Sequence, residues 1–319
     1  MPELGQLEFP LLKYYISPVM VKKLMEGLKK YKKYPTGRQS AESSVKELLL
    51  FIHIDYERDK NILMLSDYFN QEARMKATFL NSMSPWDYFQ KNKKSILKEL
   101  GVCPDYEQIY SHLWSNTRMC SSFPVIVAKA IIDMFKPSRV FDPCAGWGDR
   151  MLACIAAEIP YVGVDPNGDL RKGYSSMIDI FDLLPEDYTL ISKPFEDFIR
   201  KPTYTDVFGE EVRVGKFPLI FTSPPFFNME GYADDDTQSI IKFPTYDKWK
   251  TGFLFPMIEG CVNLLEKEGK LVIYVNNIRK YHILSDTREY LDTLPIKYLG
   301  QVSWKNSKYP KYLLVYQTL

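Results

Sequence analysis

With 319 residues, 45% of them hydrophobic and 25% charged, the chain has the balance of a globular protein and length for one large or two modest cores. A formal net charge of +1 excludes a polycation, so any nucleic-acid partner must meet a local basic patch. Five cysteines without a C-x-x-C pair and three histidines without a cluster give no zinc framework and no histidine-built centre, so no metal is expected.

The opening MPELGQLEFPLLKYY carries acids and prolines where a signal peptide has a basic start and an apolar core. No run reaches the ~20 apolar residues of a membrane span. Both features predict an intracellular protein, cytoplasmic or nuclear, with no membrane partner.

Residues 1–115 read as a mainly helical domain. SPVMVKKLMEGLKKYKKY places Val21, Leu24, Met25 and Leu28 at helical spacing behind a Ser-Pro start. SSVKELLLFIHIDY, SPWDYFQKNKKSILKEL and DYEQIYSHLW read as further helices, the second capped by Ser84 and followed by Gly101. Residues 116–319 change texture, with strands and helices alternating. SRVFDP, YVGVDP, YTLIS, FPLIFTS and GKLVIYVNN read as strands. DRMLACIAAEI, NGDLRKGYSSMIDIF, PFEDFIR and a long segment from Thr245 to Gly269 read as helices, and TYTDVFGEEVRVG as a hairpin turning near Gly209. SDTREYLDTL, IKYLGQVSW and KYLLVYQT close the chain as helix, strand, strand. The pattern predicts an α/β fold, a Rossmann-like, doubly wound and mostly parallel sheet with one antiparallel edge strand.

VFDPCAGWGDR leads from the first of these strands through Gly146 and Gly148 into a helix. Such a turn lets a backbone pass close under a ligand, or is simply a tight strand-to-helix connection. Met151 stands where a dinucleotide fingerprint has its third glycine, which argues against a nicotinamide site. Asp165, at the end of the second strand, can take two hydrogen bonds from a ribose diol or can cap the next helix. FTSPPFF closes the fourth strand, beside the first, where open α/β sheets place their ligand crevice.

Together DPCAGWGDR, VGVDPN and TSPPFF resemble class I S-adenosylmethionine-dependent methyltransferases. More narrowly, they are similar to the nucleic-acid amino-methyltransferases that modify adenine N6 or cytosine N4 and carry a [DNS]-P-P-[FYW] tetrapeptide. The resemblance spans about Ser115 to Leu319. It implies S-adenosylmethionine as cofactor, with Asp142 and the turn Ala145, Gly146, Trp147, Gly148 along its methionine moiety and Asp149 nearby. It further implies Asp165 on the ribose, Pro166 against the adenine, Phe195 or Glu196 at the adenine edge, and Ser122 and Phe123 of the SSF segment near the cofactor carboxylate. Serine at the first tetrapeptide position is commoner among the cytosine-N4 enzymes, although some serine forms act on adenine, so both bases stay open.

The chemistry of Ser223, Pro224, Pro225 and Phe226 suits an amine. An exocyclic amine is a poor nucleophile because its lone pair is delocalised into the ring. Acceptors at its two N–H groups favour a pyramidal nitrogen, and Ser223 Oγ and the Pro224 carbonyl are the candidates. Pro225 stiffens the turn, and Phe226, with Phe227 beside it, offers a face for a flipped base. The competing reading is a Pro-Pro strand stop with phenylalanines in the core. For the polymer, Lys22, Lys23, Lys29, Lys30, Lys32 and Lys33 on the first helix are a candidate phosphate track, or a solvated face. The loop Asn228–Pro244, with Asp234, Asp235 and Asp236, is a candidate lid or partner site. The expected activity is methylation of an exocyclic amine of a nucleic-acid base, DNA ahead of RNA. The alternatives are methylation of a protein amide or small molecule, and a non-catalytic partner subunit.

Overall fold

The computed structural model describes residues 15–31, 36–40, 49–54, 62, 64–101, 103–205, 209–305 and 310–319. Its strands are β1 (Thr36–Ser40), β2 (Leu49–Ile54), β3 (Thr78–Phe79), β4 (Val140–Asp142), β5 (Tyr161–Val164), β6 (Tyr188–Ile191), β7 (Thr203–Thr205), β8 (Glu211–Arg213), β9 (Phe217–Thr222), β10 (Glu230–Gly231), β11 (Leu265–Tyr274), β12 (Ile296–Lys305) and β13 (Pro310–Thr318). Nine of them form one sheet in the order β1-β2-β12-β13-β11-β9-β4-β5-β6. The run from β11 through β9, β4 and β5 to β6 is parallel throughout, as the alternation of strand and helix demands.

Side-chain alternation splits the core in two. Along β11, Val272 and Tyr274 enter one cluster and Leu271 and Ile273 the other; along β13, Leu313 and Val315 part from Leu314 and Tyr316 in the same way. That period of two buries both faces of the sheet, so helices must cover both. The result is an α/β, Rossmann-like doubly wound fold.

Antiparallel strands lie both at the edge of the sheet and inside it: β1, at the edge, runs antiparallel to β2. β13 runs antiparallel to both neighbours, β11 and β12, inside the sheet. The hairpin β1–β2 extends the sheet beyond β12, with β2 parallel to it. Segment 49–54, expected as helix, is therefore a strand. LLFIHI is apolar enough for either state, and pairing from Gly300↔Leu50 to Trp304↔Ile54 decides for strand.

The other N-terminal helices form as the caps predict. Ser17 accepts from the Met20 N–H ahead of helix Pro18–Lys30, Ser84 from Asp87 ahead of Pro85–Leu100, and Asp105 closes a capping box on Tyr106–Asn116. Their described buried residues share a core with the rest of the chain. One cluster joins Val21, Phe69 and Leu113 to Met151, Phe221 and Trp304, across the expected boundary at residue 115. The long helix expected up to Gly269 is broken into Tyr246–Trp249, a π-helical turn Lys250–Leu254 and Phe255–Leu264, after which β11 begins. Among the described residues, no helix is long and apolar enough to cross a membrane.

Candidate active site

β4 delivers the chain to the glycine turn, and helix Asp149–Ala157 carries it away. Gly146 has φ +57° and Gly148 φ +92°, a region that favours glycine. A Cβ on Gly148 would also stand 2.6 Å from Met177 Cε, whereas one on Gly146 would meet nothing closer than Cys144 O at 3.9 Å. Gly146 thus keeps open space above the turn. The turn is held from beneath, where the Tyr174 hydroxyl donates to Ala145 O at 3.1 Å and Arg150 reaches the carbonyls of Cys144 and Ala145.

Asp142 belongs to that support rather than to the cavity. It is fully buried, and its carboxylate accepts from Arg150 Nε (2.6 Å), the Tyr161 hydroxyl (2.9 Å), Thr222 Oγ1 (2.9 Å) and the Cys144 N–H (3.2 Å). With four donors on its carboxylate, Asp142 stands under the turn, and the structure does not bring it to the cavity wall. Arg150 correspondingly pairs with Asp142, its Nε 2.6 Å from Oδ2.

Asp165 does line the cavity, next to Pro166 and Gly146. Its Oδ2 accepts the Gly146 N–H at 2.8 Å and its Oδ1 the Asn167 N–H at 3.0 Å. One lone pair remains on each oxygen, which matches the two hydroxyls of a vicinal diol. Burial pushes the carboxyl up to about 6. Asp149 is more enclosed, accepts the Phe123 N–H at 3.2 Å, and is pushed up to about 7, chiefly by burial. Ser122, Phe123 and Trp147 border the same space. Phe195 and Glu196 close its opposite side, with Lys242 2.9 Å from Glu196 Oε1. Ala145 and Gly148 shape the turn without lining the cavity.

β9 ends at Thr222, and Ser223, Pro224, Pro225 and Phe226 continue along the cavity wall. Phe226 meets Tyr274 edge-on at 5.6 Å between ring centres. Phe227 turns the other way. With φ +48° and 3% exposure, it packs on Tyr246, Trp249 and Tyr281 at 5.0–5.6 Å. Its ring is packed in the core and does not line the cavity.

The loop after Ser223 forms the roof. Tyr232 stands edge-on to Trp147 at 5.6 Å, its carbonyl accepts from Asn167 Nδ2 at 3.3 Å, and its hydroxyl donates to Glu230 at 2.6 Å. The aspartate triplet lies on the exposed side, where Asp235 caps the Thr237 N–H at 2.9 Å. The N-terminal helix Leu65–Lys76 also reaches the site. Asn70 Nδ2 donates to Trp147 O at 2.9 Å, and Arg74, in a buried two-point pair with Asp67, donates to Cys120 O at 2.9 Å.

The lysine helix is elsewhere. Lys22 pairs with Asp182 and Lys29 with Glu158, and these acids end the helices that lead into β6 and β5. That is the amino edge of the sheet, opposite Ser223 and Asp165. Lys30 is exposed on the same helix, and Lys32 and Lys33 lie outside the described residues. Sequence reasoning missed Tyr274, Glu230 and Lys311 on the cavity wall. Tyr274 had a readable signal, an aromatic at the carboxyl end of the strand beside β9. Nothing local marks the other two.

No protein-family model and no curated protein matches the chain. Among solved structures it is similar to TrmN from Thermus thermophilus (12% identity, TM-score 0.43, covering 62% of this chain and 50% of that one). It is also similar to the magnesium protoporphyrin IX methyltransferase from Synechocystis PCC 6803 with bound SAM (12%, 0.42, 73% and 94%), and to an rRNA methylase from Streptococcus thermophilus (14%, 0.40, 63% and 99%). The chain spans half the length of the Thermus protein. Likenesses this low carry no argument about activity.

Proposed function

We propose that the protein is an S-adenosylmethionine-dependent methyltransferase acting on an exocyclic amino group of a nucleic-acid base. The observation that carries this reading is the meeting, on one cavity, of a diol-accepting carboxylate over a glycine turn and a Ser-Pro-Pro-Phe corner. Asp165 with the open space over Gly146 suits a nucleoside, and Pro166 and Phe195 suit its base. When bound, S-adenosylmethionine supplies a methyl group already activated on a sulfonium. This chain's residues would then do three things. Ser223 Oγ and the Pro224 carbonyl accept the two amine hydrogens and turn the nitrogen lone pair out of the ring. Phe226 holds the ring in a stack, and the roof of Tyr232 and Trp147 excludes water. Alignment does most of the work, so no strong base is required.

The test incubates the protein with methyl-labelled S-adenosylmethionine and separate pools of DNA, RNA and protein, then digests the labelled pool to its modified unit. Label in a base is expected, and it should vanish in Ser223→Ala and Phe226→Ala while both variants still bind the cofactor. Binding should weaken as pH falls through about 6, where Asp165 gains its proton, and Asp165→Asn should lose that dependence. Undiminished transfer by both corner variants would refute the assignment.

A further inference from the structure

Lys311 sits near the start of β13, and its side chain reaches the cavity wall beside Phe226, Tyr274 and Trp304. Its ammonium lies 5.8 Å from the Tyr274 ring centre, and Tyr274 packs against Trp304 at 5.1 Å. The side chain is partly buried and forms no ion pair with a described residue. Glu230 is on the same wall, but its oxygens are engaged by the Ser121 N–H (3.3 Å) and the Tyr232 hydroxyl (2.6 Å). Burial lowers the Lys311 pKa, and the Glu230 field partly restores it. A cation drawn out of water without a counter-ion is costly unless something brought into the cavity supplies acceptors.

We infer that Lys311 determines which base is taken, by donating from its ammonium to acceptors on the substrate ring that follow the reacting amine. This rests on the amine-methylation reading of the same cavity. An ammonium has three donors and no acceptor. With the amine hydrogens on Ser223 and Pro224, cytosine offers two neighbouring acceptors along that edge, the ring nitrogen and the carbonyl oxygen. Adenine offers one ring nitrogen followed by a C–H. The aromatic wall admits either ring; the lysine favours the amino-pyrimidine with a carbonyl.

The test uses mixed-sequence DNA and RNA digested to nucleosides, with Lys311→Met and Lys311→Arg beside the wild type. Label is expected in N4-methylcytosine. Lys311→Met should lower kcat/KM about 10- to 100-fold, the range of a hydrogen bond from a charged donor, with cofactor affinity unchanged. Lys311→Arg should keep more activity. The wild-type kcat/KM should decline on the alkaline side as the ammonium is lost, and the methionine variant should not. Of the groups around the ammonium, Tyr274 is pushed up to about 12, and Tyr232 and Glu230 are also raised, all by burial. Label in adenine, or a Lys311→Met enzyme with wild-type kcat/KM and pH profile, overturns the inference and leaves methyl transfer standing. If Lys311→Met does not fold, the arginine variant and the wild-type pH profile decide. No label in any base, with cofactor binding intact, overturns the nucleobase reading and this inference together.

Discussion

Thr222 Oγ1 donates to Asp142 Oδ1 at 2.9 Å, and both residues are fully buried. Through this bond the strand that presents Ser223 is fixed to the strand that leads into the glycine turn. Arg150 and Tyr161 complete the ring of donors around the same carboxylate. Removing the threonine hydroxyl with the near-isosteric Thr222→Val leaves three donors on Asp142 and should cost about 1–2 kcal/mol. Asp142→Ala strands the Arg150 guanidinium in the core and should cost about 3–5 kcal/mol. Urea unfolding of the two variants measures the order. Equal losses would mean that the carboxylate does not organise the floor.

Asp149 gives the molecule a pH-dependent weakness of definite sign. Its folded pKa of about 7 lies above its ordinary value of 3.8 because burial disfavours the carboxylate. Between about pH 4 and 7 the folded state therefore holds a proton that the unfolded state has lost, and stability falls as pH rises. Asp149→Asn keeps an acceptor for the Phe123 N–H and removes the charge. Melting temperatures of variant and wild type should lie closest near pH 4 and separate by pH 8 in the variant's favour. A constant gap would remove Asp149 as the source.

Lys22 and Lys29 should be dispensable for a polymer substrate. Their partners, Asp182 and Glu158, hold them at the amino edge of the sheet and are themselves exposed. Exposed pairs of this kind contribute about 0–1 kcal/mol. The double variant Lys22→Gln/Lys29→Gln should unfold within about 1 kcal/mol of the wild type and leave the salt dependence of nucleic-acid binding unchanged. A flatter slope would restore the lysine helix as a phosphate track.

What the sequence disclosed follows a physical line. Periods of two and 3.6, Ser and Asp caps and the glycine turn are local, and the parallel sheet and most helices could be read from them. The residues gathered around Asp165 and Ser223 were legible because carboxyl ends of parallel strands must share one edge. Position across the sheet was not legible. Lysine spacing shows a charged face without saying which edge it occupies, and Asp142 reads the same above the floor as below it. LLFIHI became a strand by pairing with β1 on one side and with β12, some 250 residues on, on the other, and no local pattern announces the second pairing.

Phe226 and Phe227 are adjacent, yet they face different surroundings. Phe226 stands in the cavity wall against Tyr274, while Phe227, at φ +48°, turns into a cluster with Tyr246, Trp249 and Tyr281. Truncating a buried phenylalanine costs about 3–5 kcal/mol in transfer and cavity terms, so Phe227→Ala should lower the urea midpoint sharply. Phe226→Ala removes a partly buried ring at the cavity wall and should cost less, because water can fill the space it leaves. Methyl transfer should respond in the reverse order. At a temperature where both variants are folded, Phe226→Ala should lose turnover and Phe227→Ala should retain most of it. Paired unfolding and single-turnover measurements separate the two, and a Phe226→Ala protein that is destabilised but fully active would place its ring in the core as well.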